Sequence, residues 1–309
     1  MLTLTNPENY SEKCVATIGF FDGVHSGHRF LLEELIKTSK TQGLTNVVIT
    51  FSEHPRNVLD KNFKPTYITT LKEKLVLLEK IGIDVCIVLD FSEELSKLSA
   101  FDFMKNILSE KFNVKTLLIG YDHRFGHNKS ENFEDYLKFG KNLDIEVIQS
   151  NQLTTSNLHK LSSSEIRKLI LAGNVLEANK LLSYPHSFYG QVTEGYKVGR
   201  KIGFPTANLT PQPEKLLPTT GVYAVKINYK SKFYNGMMNI GNRPTLQNDN
   251  NQSIEVHIFD FEEDIYKQEV EILFIDKIRN EQKFDNLGTL IARLELDKIE
   301  AKKIIEKQI

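Results

Sequence analysis

Apolar and polar positions in the first half of the chain alternate between two regimes. Short, nearly continuous apolar runs fall at Val15–Phe20, Asn46–Phe51, Asp84–Asp90, Lys115–Gly120 and Ile145–Ser150. Between them lie stretches with apolar residues three and four apart: HRFLLEELIKTSK, TTLKEKLVLLEKIG, AFDFMKNILSEKF and NFEDYLKFGKNL. The runs predict buried strands and the amphipathic stretches predict helices. Gly82 stands where a helix that ends just before a strand takes a left-handed C-cap. Strands alternating with helices predict an α/β fold, a doubly wound parallel sheet with right-handed crossovers. Ligands of such sheets lie beyond the carboxyl ends of the strands. The stretch GFFDGVHSGH, residues 19–28, falls there, after the first run and at the start of the first helix.

Near Ser183–His186 the pattern changes. A helical pair, SSEIRKLILAG and NVLEANKLL, ends in the turn-prone SYPHS. Beyond it come SFYGQVTEG, GVYAVKINY, KFYNGMMNI, SIEVHIFDF and QEVEILFIDKI, with no helix between them. Two of these predict a hairpin turning at Lys230–Lys232. Crowded short strands predict a C-terminal antiparallel β-barrel, and NLGTLIARLELDKIEAKKIIEK adds a terminal amphipathic helix. A two-domain division follows, 1–184 and 185–309, within the 309 residues.

Composition narrows the classes. Thirty-nine Lys+Arg against forty Asp+Glu leave a net charge of -1, so bulk charge lends no support to nucleic-acid binding. No basic, apolar leader and no membrane-length apolar run stand out. The two cysteines, Cys14 and Cys86, lie in strand-like runs and read as small buried hydrophobes. These features predict a cytoplasmic protein without a membrane or nucleic-acid partner.

Candidate chemistry begins with His25 and His28. The glycines around them do not follow G-x-G-x-x-G, and no P-loop motif occurs in the chain. Small residues let a backbone approach phosphate, and a helix beginning near Ser26 aims its unpaired N–H groups at an anion. Histidines three apart share a helix side and donate to phosphate oxygens, an arrangement suited to nucleotidyl transfer. Two alternatives stay open: a zinc site completed by His54, His123 or His127, and a helix start without function.

GFFDGVHSGH resembles the H-x-G-H signature of the nucleotidylyltransferase superfamily, a Rossmann-like fold, and TIGFFDGVHSGH is similar to prokaryotic FAD synthetases. TFSEHP (Thr50–Pro55), GYDHRFG (Gly120–Gly126) and LSSSEIRKLILAGNVLEANKLL (Leu161–Leu182) follow in family order. Ser164 stands where the family usually has threonine, and His123 where an aromatic Phe is common. In the second half GYKVGRKIGFPTANL (Gly195–Leu209) carries the P-T-A-N signature of riboflavin kinases. GNRPT (Gly241–Thr245) and FIDKIRNEQKFDNLGTLIARLELD (Phe274–Asp297) match that family too.

The resemblance implies a bifunctional flavin-cofactor enzyme that phosphorylates riboflavin to FMN and adenylylates FMN to FAD. ATP is its co-substrate and Mg²⁺ its metal. It implies catalytic roles for Glu255, His25 and His28, and Mg²⁺ ligation by Thr206 and Asn208. ATP or phosphate contacts are implied at Gly19, Phe20, Asp22, Gly23, Gly27, Ser162, Ser163, Ser164 and Arg167, and at Gly195, Gly203, Pro205 and Asn208. Flavin contacts are implied at His54, Asp122, Arg124, Phe125 and Arg279, with the last helix covering the isoalloxazine. Locally, Ser162–Ser164 make a hydroxyl-rich helix start with Arg167 one turn along. Period-two alternation puts Glu255, His257 and Phe259 on one strand face, opposite Val256 and Ile258. Two competing readings are a chain with one working activity and a flavin-binding carrier without turnover.

Overall fold

The structure is a computed structural model that describes residues 1–54, 65–121, 123–127, 130–151, 161–194, 199, 202–242 and 252–307. Two compact units are present. The first comprises Met1–Pro65 and Thr69–Leu161, the second Thr66–Ile68 and Ser162–Ile309.

In the first unit six strands, β1 (Leu2–Thr5), β2 (Cys14–Ile18), β3 (Thr45–Phe51), β4 (Val85–Leu89), β5 (Val114–Ile119) and β6 (Glu146–Gln149), form one sheet. Their order is β1-β4-β3-β2-β5-β6, and every pairing is parallel. The helices are α1 (Ser26–Gln42), α2 (Leu71–Ile81), α3 (Glu93–Lys97), α4 and α5 (Phe133–Leu143). Helix α4 begins as Ala100–Asp102 and continues in π-helical form over Phe103–Lys111.

Helices cover both faces of the sheet, which is why its strands are near-continuous apolar runs. Cys14, Ala16 and Ile18 pack with Ile49, Ile87 and Leu117 on one face. Val15 packs with Val48, Cys86 and Leu118 on the other, against Leu32 and Leu35 of α1. Both cysteines are therefore buried free thiols, and burial pushes each up to about 12. Gly82 ends α2 at φ 101° in the left-handed region, and Thr70 with Glu73 forms a capping box at its start. The predicted strands stand within two residues of their observed bounds, but β1 was not predicted.

Chain order reverses at β2: β3 flanks it on one side and β5 on the other. A switch point of this kind leaves a crevice beyond the strand ends.

The second unit opens with α6 (Ser163–Leu171) and α7 (Val175–Leu182). It continues as a closed barrel of β7 (Ser187–Thr193), β8 (Ala207–Pro211), β9 (Gly221–Tyr229), β10 (Lys232–Asn242), β11 (Gln252–Ile258) and β12 (Glu269–Arg279), ordered β10-β11-β8-β7-β12-β9. All pairings are antiparallel. The β9–β10 hairpin turns through Lys230 and Ser231 at φ 49° and 63°, the left-handed pair that matches strand twist. Strand β8 was not predicted, since PTAN sits among turn-forming glycines and lysines. Val225, Ile227, Ile254, Val256 and Phe274 help fill the barrel. Outside it, α8 (Leu287–Glu306) lays Ala301 and Ile305 against Ala224, Met237 and Phe259.

Candidate active sites

The GFFDGVHSGH loop leaves β2 at the switch point. Three of its residues lie at positive φ: Phe21 (54°), Gly23 (80°) and Val24 (35°). Holding Phe21 and Val24 there costs about 1–3 kcal/mol each. Both side chains are buried among Leu31, Leu32 and Leu35, and burial of that kind returns about 1.5–3 kcal/mol each. The bend is thus pinned by the core beneath it. Thr69 fastens it from the side: its Oγ1 accepts from Gly23 N–H (3.0 Å) and its N–H donates to Asp22 (3.2 Å).

His25 is the N-cap of α1. Its Nδ1 accepts from the His28 N–H at 3.3 Å, so the neutral ring carries its proton on Nε2, a donor facing away from the helix. The two rings stack with centroids 3.6 Å apart and 17° between planes. Gly27 makes this possible, because a Cβ there would stand 3.3 Å from the His25 ring and 3.0 Å from Leu161. Burial, then the neighbouring His25, His123 and Lys74, hold His28 well below the ordinary imidazole value. Its Nδ1 is buried without a hydrogen-bond partner among the described residues.

Phe20 receives the ring of His54 edge-on at 5.0 Å, so the TFSEHP stretch meets the first motif at the ends of adjacent strands β2 and β3. Gly19 leaves room for the Phe21 ring, 3.0 Å from where its Cβ would be. After β5, His123 approaches Phe125 at 6.2 Å. Phe125 turns into the core, 8% exposed, and stacks on Tyr136 at 4.6 Å, while Arg124 is exposed. Asp122 and Gly195 lie outside the described residues, as do 243–245 of GNRPT and Pro55. His127 bonds Ser96 O at 2.9 Å, and no group of three or more potential metal-ligating side chains forms among the described residues. Ser162 caps α6 by accepting from Glu165 N–H at 3.2 Å. Ser163 and Ser164 form its first turn, and Arg167 donates to Thr66 O and Oγ1. Ile166 and Ile170 pack α6 within the second unit.

The barrel carries the second site. Register places Thr193 opposite Asn208, Asn208 opposite Glu255, and Glu255 opposite Asn239. Directly opposed residues share a face, so a polar row crosses β7, β8, β11 and β10. Asn239 belongs to it and was missed by the sequence reading. The face bearing Glu255 is also not simply solvent-exposed: His257 and Phe259 are buried there, with Phe259 packed in the cluster that α8 joins.

Thr206 Oγ1 donates to Glu255 Oε2 at 3.1 Å, and His257 Nδ1 donates to Pro205 O at 2.8 Å, fixing the PTAN backbone. A cavity of about 350 Å³ includes Gly199, Phe204, Thr206, Asn239, Glu255, Arg279 and Phe284 in its lining. A second, about 410 Å³, is lined by Val192, Thr206, Ala207, Val256, Ile258 and Phe261 together with the carboxylates Glu262, Glu263 and Asp264. Both fall in the size range of small-molecule sites. Thr206 lines both cavities, and Glu255, its hydrogen-bond acceptor, lines the first. Gly203 adopts φ 84° with open space around it, and a Cβ on Gly199 would collide with Phe204 O.

Arg279 lines the first cavity, but its polar edge is engaged. Nε and Nη2 donate to the Asp297 carboxylate at 2.8–3.0 Å, Nη1 donates to Asn280 O, and Phe284 lies 5.7 Å away. Asp297, fully buried, also accepts from Arg293 at 2.9 Å. The guanidinium thus presents its flat face. Asp297 was another residue missed, though its spacing of four from Arg293 on a helix was a signal.

A model of FAD synthetase matches residues 7–165, and one of riboflavin kinase matches residues 182–305. A bifunctional riboflavin kinase/FMN adenylyltransferase of Buchnera aphidicola is 36% identical, covering 94% of each chain. One from Listeria monocytogenes is 37% identical over 95% of this chain and 93% of its own. A solved Streptococcus pneumoniae structure described as a macrolide-efflux protein superposes with TM-score 0.90 at 32% identity, covering 98% of this chain and 99% of that one. Among the described residues no helix is long and apolar enough to cross a membrane, and the two family models name flavin chemistry over nearly the whole of this chain. Two sites in two units, with matches of this extent, place the chain in the family of bifunctional riboflavin kinase/FMN adenylyltransferases.

Proposed function

We propose that this chain makes FMN from riboflavin in its barrel and FAD from FMN at its switch-point loop, each with ATP. The observation that carries the reading is Thr206, which lines both cavities and donates to Glu255 in the wall of the first. The first, walled by Phe204, Phe284 and the flat Arg279, takes the isoalloxazine; the second takes the nucleotide. Glu255 accepts the proton of riboflavin's 5′-hydroxyl as that oxygen attacks the γ-phosphorus, and ADP leaves. Thr206 and Asn208, hard oxygen donors on the face of Glu255, would hold Mg²⁺, which neutralises charge on the phosphates. Gly203 and Pro205 shape the loop over that nucleotide, with Gly195 of the same motif.

Adenylyl transfer is assigned to 1–184 and phosphorylation to 185–309. A phosphate oxygen of FMN attacks the α-phosphorus of ATP and pyrophosphate leaves. His25, through Nε2–H, and His28 donate to the charge growing on that leaving group. Gly19, Phe20, Asp22, Gly23 and Gly27 shape the loop around the phosphates, and Ser162–Ser164 with Arg167 serve as further ATP-phosphate ligands. His54, Asp122, Arg124 and Phe125 flank the flavin. Two buried free thiols suit a reducing cytoplasm.

The test is a product assay with riboflavin or FMN, ATP and Mg²⁺. Wild type yields FMN then FAD. Glu255→Ala stops FMN formation and spares FMN-to-FAD conversion, and His28→Ala does the reverse. A folded mutant that loses both activities refutes the two-site reading.

A further inference from the structure

Lys74 of α2 is a buried cation, 2% exposed, at the base of the switch-point loop. Its ammonium has three protons and three acceptors: Phe20 O at 3.0 Å, Thr50 Oγ1 at 3.0 Å and Phe51 O at 3.2 Å. It lies 4.3 Å from the centroid of the Phe20 ring. Thr50 Oγ1 itself donates to Phe20 O at 3.2 Å.

The position of these acceptors gives the contact its meaning. Strands β2 and β3 stay paired as far as Ile18 and Ile49, and the last ladder bond runs from Gly19 N–H to Ile49 O. One residue later the chain enters the left-handed bend at Phe21, so the Phe20 carbonyl has no ladder donor. Lys74 and the Thr50 hydroxyl donate to it, and Lys74 ties the same point to the end of β3 through Phe51 O. None of the carboxylates among the described residues bonds this ammonium directly, so Asp22 acts on it only through space. Burial pulls it down to about 8, against which the Asp22 carboxylate of the loop favours the charged form. Facing His28 are His25 on α1, His123 after β5 and Lys74 on α2.

We infer that Lys74 is a positioning residue for adenylyl transfer: it clamps the ends of β2 and β3, holds the H-x-G-H loop in its bent form, and places a positive charge near the phosphate-binding histidines. This rests on the loop being the adenylyl-transfer site. With the clamp removed, the histidines lose registry with the leaving group. A displacement of about 1 Å in such a site lowers turnover on the order of a hundredfold.

The experiment uses the full chain and the variants Lys74→Gln, Lys74→Met and Lys74→Arg, with His28→Ala as control. FAD formation from FMN is followed for kcat and KM, and its kcat/KM across pH. FMN formation from riboflavin is measured alongside, and resistance of the first unit to limited proteolysis reports its fold. The expected result is a roughly hundredfold fall in FAD-forming kcat for Lys74→Gln and Lys74→Met, recovery to within about tenfold in Lys74→Arg, and unchanged FMN formation. In the neutral variants the acidic limb of kcat/KM moves upward in pH, because His28 loses a neighbouring positive charge. A purely structural role leaves that limb in place. If Lys74→Met does not fold, Lys74→Gln and Lys74→Arg decide. Lys74→Gln within threefold of wild type, or an unmoved limb, overturns the inference. FAD formation surviving in His28→Ala overturns the site reading itself, whereas loss in His28→Ala without loss in Lys74→Gln overturns the role of Lys74 alone.

Discussion

Replacing Asp297 by alanine removes a fully buried carboxylate that two arginines share. Three contacts from Arg279 and one from Arg293, all between 2.8 and 3.0 Å, disappear together. The Arg279 side chain is only 13% exposed, so water replaces those bonds poorly, and a cation is left buried without its partner. Breaking a buried pair from one side costs about 3–5 kcal/mol. At roughly 2–4 °C per kcal/mol for a unit of this size, the melting temperature of the second unit should fall by about 10 °C. The freed guanidinium also swings from the cavity wall, so KM for riboflavin should rise. Asp297→Asn keeps the volume and one acceptor oxygen and should fall between the two. Calorimetry combined with riboflavin-kinase kinetics measures both effects. A second-unit transition within about 2 °C of wild type, with KM unchanged, would refute the view that this carboxylate holds α8 and Arg279 in place.

Two further outcomes follow. Gly27→Ala pushes a methyl group against Leu161 and the His25 ring, at 3.0 and 3.3 Å. FAD formation should drop about ten- to a hundredfold with FMN formation intact, and equal FAD rates would show that the stacked pair tolerates displacement. Burial lowers Lys74 from 10.5 to about 8. Between those values the unfolded chain keeps a proton that the folded unit has released, so stability rises with pH across the window, by up to about 3 kcal/mol. Urea unfolding of wild type and Lys74→Met at about pH 8 and pH 10 tests this: the balance should shift toward wild type at the higher pH, and a constant difference would contradict a buried ammonium.

Period and punctuation made the architecture legible. Continuous apolar runs separated by amphipathic helices can only be buried on two faces, which requires the parallel sheet. The β1 strand LTLT escaped because it lies at the sheet edge and is mostly exposed, so it lacks the apolar run of its neighbours. Strand β8 escaped because its ladder pairs Asn208 with Glu255, a polar pairing that local propensity does not favour. The stacked histidines were legible from spacing alone. Lys74 was not, because a charged residue on an amphipathic helix ordinarily faces water, and only the tertiary partners at its tip reveal the exception; Asp297 offered only its four-residue spacing from Arg293. Phe125 shows the converse: the motif marked the residue, but its ring went to the core.

The polar row across the barrel has a consequence for how this protein can change. Glu255 and its strand neighbours Ile254 and Val256 occupy successive positions of one β-strand, so the polar face and the barrel filling are two readings of the same ladder. A deletion of one residue in β11 would turn Ile254, Val256 and Ile258 outward and Glu255 inward in a single step. Such a variant would be eliminated as a misfolded chain before its chemistry could be selected upon. Insertions and deletions in this family should therefore gather in the connections and spare the strands. The alignment of the site is protected by the stability of the barrel, with no separate safeguard required.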